Sequence, residues 1–383
     1  MRTLGGIVGA LALASVCGRA ARIAGAGDAP ARDHASLATL PSRPIARVPA
    51  ELTFAVTDTS GRRVRFLQLV HERPMHVIVV SRDLAEFAHI HPEPTLDDRY
   101  AVTHTFAHGG RYRVFADYTP PGSGTLVDAF DVDVAGPARD EIPPAADAVL
   151  ERSVDSLTMS LAFERPPVAG EDVRWRVSLR GGGRPVTDLQ LYLGALAHVM
   201  VVSADLHTFI HAHPQELGDV VDTTRGAHVH DPAQLARALR GPSPATLHVV
   251  TSFPHAGLYG LWVQVQRHGR VITAPFVISV GAAPAAARPA AAPAPPRDAI
   301  AIVADASGFT PARVEVPRGR RTLLAFTRPA PGNCVDRVVI PALGITRALP
   351  VGGTVEIALA PADSADIPFQ CGIGMFRGLI VVR

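Results

Sequence analysis

Cysteine is scarce in this sequence: three in 383 residues, at Cys17, Cys334 and Cys371, too few for a disulfide-dense scaffold. Aromatic residues make up only 5% of the chain. Charge of one sign is missing as well. The 37 basic and 35 acidic residues nearly cancel, and no Lys/Arg-rich run occurs, so no footprint for nucleic acid is present. No histidine lies beyond His268, although the chain holds 16 of them. Imidazole chemistry therefore belongs to the region before the C-terminal segment. Long apolar runs are absent too. Leu4 to Val16 falls short of the roughly 20 residues a membrane-spanning helix needs, and no other segment comes closer.

That short run follows Arg2 and fits a secretory signal peptide over residues 1–26, with cleavage after Ala26 in the Ala24-Gly25-Ala26 pattern. The alternative is processing at a loose lipobox, Ala14-Ser15-Val16-Cys17, which would leave Cys17 as a lipid anchor at the start of the mature chain. The expected location is periplasmic or secreted. Cys334 and Cys371 then remain in an oxidising compartment, where an even count reads first as a disulfide.

What the chain does contain is a histidine pattern written twice. Residues 76–92 read HVIVVSRDLAEFAHIHP and residues 198–214 read HVMVVSADLHTFIHAHP, with 11 of 17 positions identical. A further match joins FAHGGRY at 106–112 to FPHAGLY at 253–259. One copy thus carries His76, His89, His91 and His108, the other His198, His211, His213 and His255. In an extended segment, two histidines spaced two apart leave the same face, as a chelating pair requires. Residues between the histidines have drifted, as at Ala85/His207 and Glu86/Thr208, while all four histidines agree. Imidazole is the commonest protein metal ligand, and three or four suit copper, zinc, nickel or iron. The competing reading is a duplicated sandwich with structural histidines. Asp83 and Asp205, both in S-x-D-L, read as turn residues. His228 and His230 read as loop residues. His34, His71, His104, His207, His248 and His268 have no counterpart and read as surface or strand residues.

The patterning predicts an all-β chain of three β-sandwich domains: two repeated Ig-like modules at 49–135 and 151–281, then a domain at 298–383. Linkers are expected at 27–48, 136–150 and, rich in Ala and Pro, 282–297. Arg111 to Tyr118 alternates, placing Tyr112, Val114, Ala116 and Tyr118 on one face. In the second module strands are expected at 173–179, 189–193, 199–202, 247–252 and 258–266. A short helix at 231–241 is signalled by Asp231 as N-cap, Pro232 in the first turn and Gly241 at the end.

The C-terminal segment carries GFTPARVEVPRG at 308–319, NCVDRVVIP at 333–341 and FQCGIGMFRGLIVV at 369–382. These motifs resemble the cupredoxin-like domain of exported bacterial copper proteins and of an iron-uptake lipoprotein family, over about 86 residues. The resemblance implies a Greek-key sandwich of seven or eight strands with a metal site in the loops at one end. A blue-copper centre needs two histidines, and this domain has none. Cys334, Cys371 and Met375 remain, a soft set suited to Cu(I), with Ile373 where family members often carry Met. A Cys334–Cys371 disulfide is the alternative. The repeats resemble, more loosely, histidine-containing modules of exported metal-associated proteins.

The expectation is an exported copper-binding protein for periplasmic copper holding, delivery or tolerance. Cu(II) or Zn(II) would sit at the histidines and Cu(I) at the Cys/Met site, with a membrane copper transporter or an acceptor protein as partner. A copper-dependent oxidoreductase and a metal-free adhesion protein are the rival readings. No matched general base near the H-x-H pairs points to an enzyme.

Overall fold

The computed structural model describes residues 33–121, 125–214, 219–222, 227–230, 240–282, 299–305, 308–329, 335, 337–362, 365–371 and 376–383. The described residues form an all-β architecture, with one 3-10 turn at Pro341–Leu343. None of their helices is long and apolar enough to cross a membrane. Residues 1–26, most of the helix expected at 231–241 and all but the first residue of the 282–297 linker lie outside the described residues.

The first sandwich pairs two antiparallel sheets. One contains His34–Leu40, Ala50–Thr57, Tyr100–His104 and Glu93–Pro94; the other contains Phe87–Ile90, Met75–Ser81, Gly110–Tyr118 and Leu126–Val134. The His34–Leu40 strand falls within the segment expected to be a linker. It pairs along its whole length with the 50–57 strand, and Ala35 packs into the core. The alternating stretch from Ala35 to Leu40 is an edge strand, and its Ala-rich composition hid that pattern. The core is built by alternation: Leu52, Phe54 and Val56 face Met75, Val77 and Val79 across the sandwich, with Tyr112, Val114, Ala116 and Tyr118 beside them.

In the second sandwich, Asp172–Gly181 pairs with Leu157–Phe163 and Thr246–Ser252 in one sheet. The other sheet runs Phe209–Ala212, His198–Ser203, Gly257–Arg267, Arg270–Val280. The strand expected at 189–193 is instead an irregular segment with bridges at Gln190 and Tyr192. Leu193 has φ +48° and Gly194 φ +74°, and a left-handed pair ends any strand. The segment at 136–150 contains no strand but is tied down: Asp147 exchanges backbone and side-chain hydrogen bonds with Val277 at 2.8 Å each.

The two sandwiches meet sheet to sheet. Met75–Ser81 and His198–Ser203 are buried at every residue because both faces are covered. Val77 and Val79 fill their own sandwich; Ile78 and Val80 point the other way, against Met200, Val202 and Trp262. This explains the unbroken β-branched run in each strand, since a strand covered on both faces has no polar side to alternate with. Phe115 stacks on Phe209 and Phe87 on Trp262 across this contact.

The C-terminal domain is a sandwich with sheets of four and five strands packed around Phe309, Phe326, Phe369 and Ile380. Parallel pairing of 299–305 with 322–328 and of 313–316 with 377–382 sets its topology.

Candidate metal centre

The strand alternation that sends Ile78 and Val80 into the inter-sandwich contact sends His76 there too. It also places Phe87, His89 and His91 on one outward face, and Phe209, His211 and His213 on the facing one. The apolar residues of this contact form one end and the histidines the other. His76, His89 and His91 converge in one group, and His198, His211 and His213 in a second, each with one ring nitrogen per residue within 4.8 Å of the others.

The hydrogen bonds fix which nitrogen four of the six rings present. His76 Nε2 lies 2.9 Å from the Val70 carbonyl, which only accepts, so the proton sits on Nε2 and Nδ1 carries the lone pair. His198 Nε2 donates likewise to the Tyr192 carbonyl at 2.9 Å. His89 Nδ1 donates to Gln264 Oε1 at 2.7 Å, and His211 Nδ1 lies 3.1 Å from Asp117 Oδ2, so both present Nε2. The lone pairs of His76 and His89 are aimed at one another, as are those of His198 and His211, and a third imidazole nitrogen joins each pair. His76 Nδ1 stands 3.0 Å from His89 Nε2, and His91 Nε2 stands 3.1 Å from the same atom. In the second triad His198 Nδ1 stands 3.1 Å from His211 Nε2 and 3.0 Å from His213 Nε2. Two acceptors at hydrogen-bond distance repel unless a proton or a cation lies between them. Metal–imidazole bonds of about 2.0–2.1 Å place neighbouring ligand nitrogens about 3–3.4 Å apart, which matches the spacing here.

A proton is a poor occupant. Burial, and then the charge neighbouring imidazoles would carry, pushes His76 down to about 4 and His91 down to about 3. The same two causes hold His89, His198 and His213 well below the ordinary imidazole range. The donor set of each triad thus suits a borderline cation such as Cu(II) or Zn(II).

His108 and His255 are not brought to either triad. His108 Nδ1 pairs with Glu86 at 2.7 Å, and His255 is exposed. The motif they share is a corner. Tyr112 OH donates to the His108 carbonyl at 3.0 Å and Tyr259 OH to the His255 carbonyl at 2.8 Å. Each tyrosine also packs on Phe106 or Phe253, and Gly110 and Gly257 take φ of +136° and +140°. The motif's other residues maintain the turn; the imidazoles merely ride on it. Asp83 and Asp205 act as expected in turns, accepting from the Ala85 and His207 amides.

Three further side chains belong to the centre. Asp117 and Gln264 sit opposite His76 and His198 in strand register, each five residues after the shared tyrosine. A polar residue at that same offset from the tyrosine in both copies was the available signal. His71, expected at the surface or in a strand, is buried and stacks on His213 with ring centroids 3.8 Å apart. It takes φ +46°, the left-handed conformation that Leu193 holds at the matching position of the second sandwich.

In the C-terminal domain, Cys371 is buried and disulfide-bonded. A sulfur in a disulfide is no thiolate, so the expected soft ligand is not on offer at Cys371 in this state. Cys334 and Met375 lie outside the described residues.

A family model described as a domain of unknown function (DUF8832) matches residues 32–136 and 152–282, and one described as a cupredoxin-like domain matches 272–382. No curated protein matches. Among solved structures the chain is similar to the metal-binding domain of the Streptococcus pneumoniae Cu(I)-exporting P-type ATPase with Cu(I), at 25% identity over 24% of this chain and 91% of that one, TM-score 0.22. It is similar to a copper-binding protein in its apo form, at 26% identity over 22% of this chain and 85% of that one, TM-score 0.21. It is also similar to the Escherichia coli adhesin FdeC, at 12% identity over 64% of each chain, TM-score 0.21.

Proposed function

Because the chain belongs to the DUF8832 family, whose description assigns no activity, its function has to rest on its own residues, and we propose that it is an exported copper-binding protein that holds or delivers copper. The observation that carries this reading is the confrontation of two unprotonated ring nitrogens in each triad, His76 Nδ1 with His89 Nε2 at 3.0 Å and His198 Nδ1 with His211 Nε2 at 3.1 Å, with a third imidazole beside each pair. His76, His89 and His91 would hold one Cu(II) and His198, His211 and His213 another, with Zn(II) the competing ion at both. The cupredoxin-like domain at the C-terminus supports copper over zinc as the native metal. Cu(I) binding through Cys334, Cys371 and Met375 belongs to the reduced chain alone, since a coordinating cysteine must be a thiolate. A membrane copper transporter or an acceptor protein would receive the metal. A periplasmic or secreted location completes the proposal.

The test is metal content. The full chain, loaded with Cu(II) and desalted, is expected to retain two coppers by mass spectrometry. The H91A/H213A double variant, shown by circular dichroism to keep its β-sheet signature, should lose both. Equal retention by the two proteins would overturn the assignment.

A further inference from the structure

We propose that the two triads are halves of one two-metal centre shared between the sandwiches, and that the half built on His198, His211 and His213 binds first and more tightly. The inference rests on the copper-binding reading above and goes beyond it in joining and ranking the sites.

The first argument is proximity. The His76 ring lies 5.1 Å from that of His211 and 6.3 Å from that of His198. The His89 ring lies 5.8 Å from His198 and 5.9 Å from His211. These distances between triads match those within them, where His76 and His89 are 5.3 Å apart and His198 and His211 5.4 Å. Ions held in the two halves would interact through a few ångströms of imidazole-filled space.

The second argument is that neither half is complete within its own sandwich. The middle histidine of each triad is oriented by a residue of the other: His89 of the first sandwich by Gln264 of the second, and His211 of the second by Asp117 of the first. Tautomer and ring orientation of both ligands therefore depend on the two sheets being docked. Binding an ion and closing the inter-sandwich contact are one process.

The third argument is the difference between these two supports. A carboxylate behind a ligating imidazole raises its basicity and offsets part of the ion's charge, whereas an amide only orients it. Gln264 cannot turn into a charged substitute, and its amide nitrogen is occupied, donating to Thr273 at 3.0 Å, which keeps Oε1 towards His89. The second half also has His71, from the first sandwich, packed against His213, whereas the residue matching His71 in the second sandwich is Leu193, which has no imidazole to offer. A divalent ion entering the carboxylate-backed half leaves the other half to bind against a nearby positive charge. The centre should load in order.

Cu(II) titration of the full chain, followed by electron paramagnetic resonance and by competition with a chromophoric chelator, tests this. At one equivalent a mononuclear spectrum is expected, and H91A should leave its affinity unchanged while H213A weakens it at least tenfold. At two equivalents the signal should broaden and lose integrated intensity, with a half-field transition appearing. D117N keeps every ligand and should weaken the first equivalent about 10- to 100-fold, while Q264E should strengthen the second. Two superimposed mononuclear spectra at two equivalents would overturn the shared centre and leave copper binding standing. An unchanged first affinity in D117N would overturn the ranking. Copper retention no greater than that of H91A/H213A would remove the binding reading itself, a result distinct from both.

Discussion

Trp262 of the second sandwich lies flat on Phe87 of the first, ring centroids 4.6 Å apart and planes within 11°. Both rings belong to the faces that also carry the histidines: Phe87 is two residues before His89, and Trp262 is two before Gln264. The apolar and metal-binding ends of the contact are thus continuous along the same strands, and a disturbance of the first reaches the second. Trp262→Ala removes the larger partner from a fully covered site, which costs about 3–5 kcal/mol. Urea unfolding should show that loss, and the same variant should hold copper less tightly.

Gly260 makes room for that ring. A Cβ there would stand 2.6 Å from Trp262 Cη2 and 3.2 Å from Leu84 Cδ1. Gly260→Ala is expected to destabilise by about 1–3 kcal/mol through overpacking, measured as a lower urea midpoint with unchanged slope. A neutral result would show that the two sheets separate easily.

Trp175 is the other tryptophan, in the core of the second sandwich. In Trp175→Phe, all tryptophan emission comes from Trp262, which lies in the inter-sandwich contact two residues before Gln264. Stoichiometric Cu(II) should quench it strongly, and Trp262→Phe should abolish most of the copper-dependent change. Equal quenching of both single variants would speak against copper residing at the inter-sandwich contact.

His108→Ala and His255→Ala should leave copper stoichiometry at the wild-type value, because neither ring reaches a triad. Tyr112→Phe, by contrast, removes hydroxyl bonds to Glu86 and to the His108 carbonyl and should cost about 1–2 kcal/mol. Metal analysis beside thermal unfolding separates the two effects.

Acid stability should report on Asp83. Burial would raise its pKa, but hydrogen bonds from Arg139, Ser81 and the Ala85 amide outweigh that and hold it down to about 2, against a usual value of 3.8. A carboxyl depressed by folding contributes stability that is present above the usual value and lost as pH falls through the folded one. Unfolding midpoints of wild type and Asp83→Asn should therefore converge between pH 4 and pH 2. A constant gap over that range would show that the Asp83–Arg139 pair does not carry the dependence.

Much of this protein is decided by local sequence. Period-two alternation in Arg111–Tyr118 identifies the core face, and the same rule makes His89 and His91 neighbours on one surface. Duplicated HVxVVS runs announce strands covered on both sides. The motif around His108 shows the limit of such reasoning. A residue matched between two copies is equally consistent with ligation and with a turn, and only the Tyr112 and Tyr259 hydrogen bonds tell them apart. Alternation determines which side chains share a face, but it says nothing of what covers that face. The docking of one sheet on the other brought His71 to His213, gave His89 to Gln264 and His211 to Asp117, and set two triads 122 residues apart in sequence side by side. Those contacts join residues from separate sandwiches, so they depend on the fit of two whole surfaces, which no local pattern encodes.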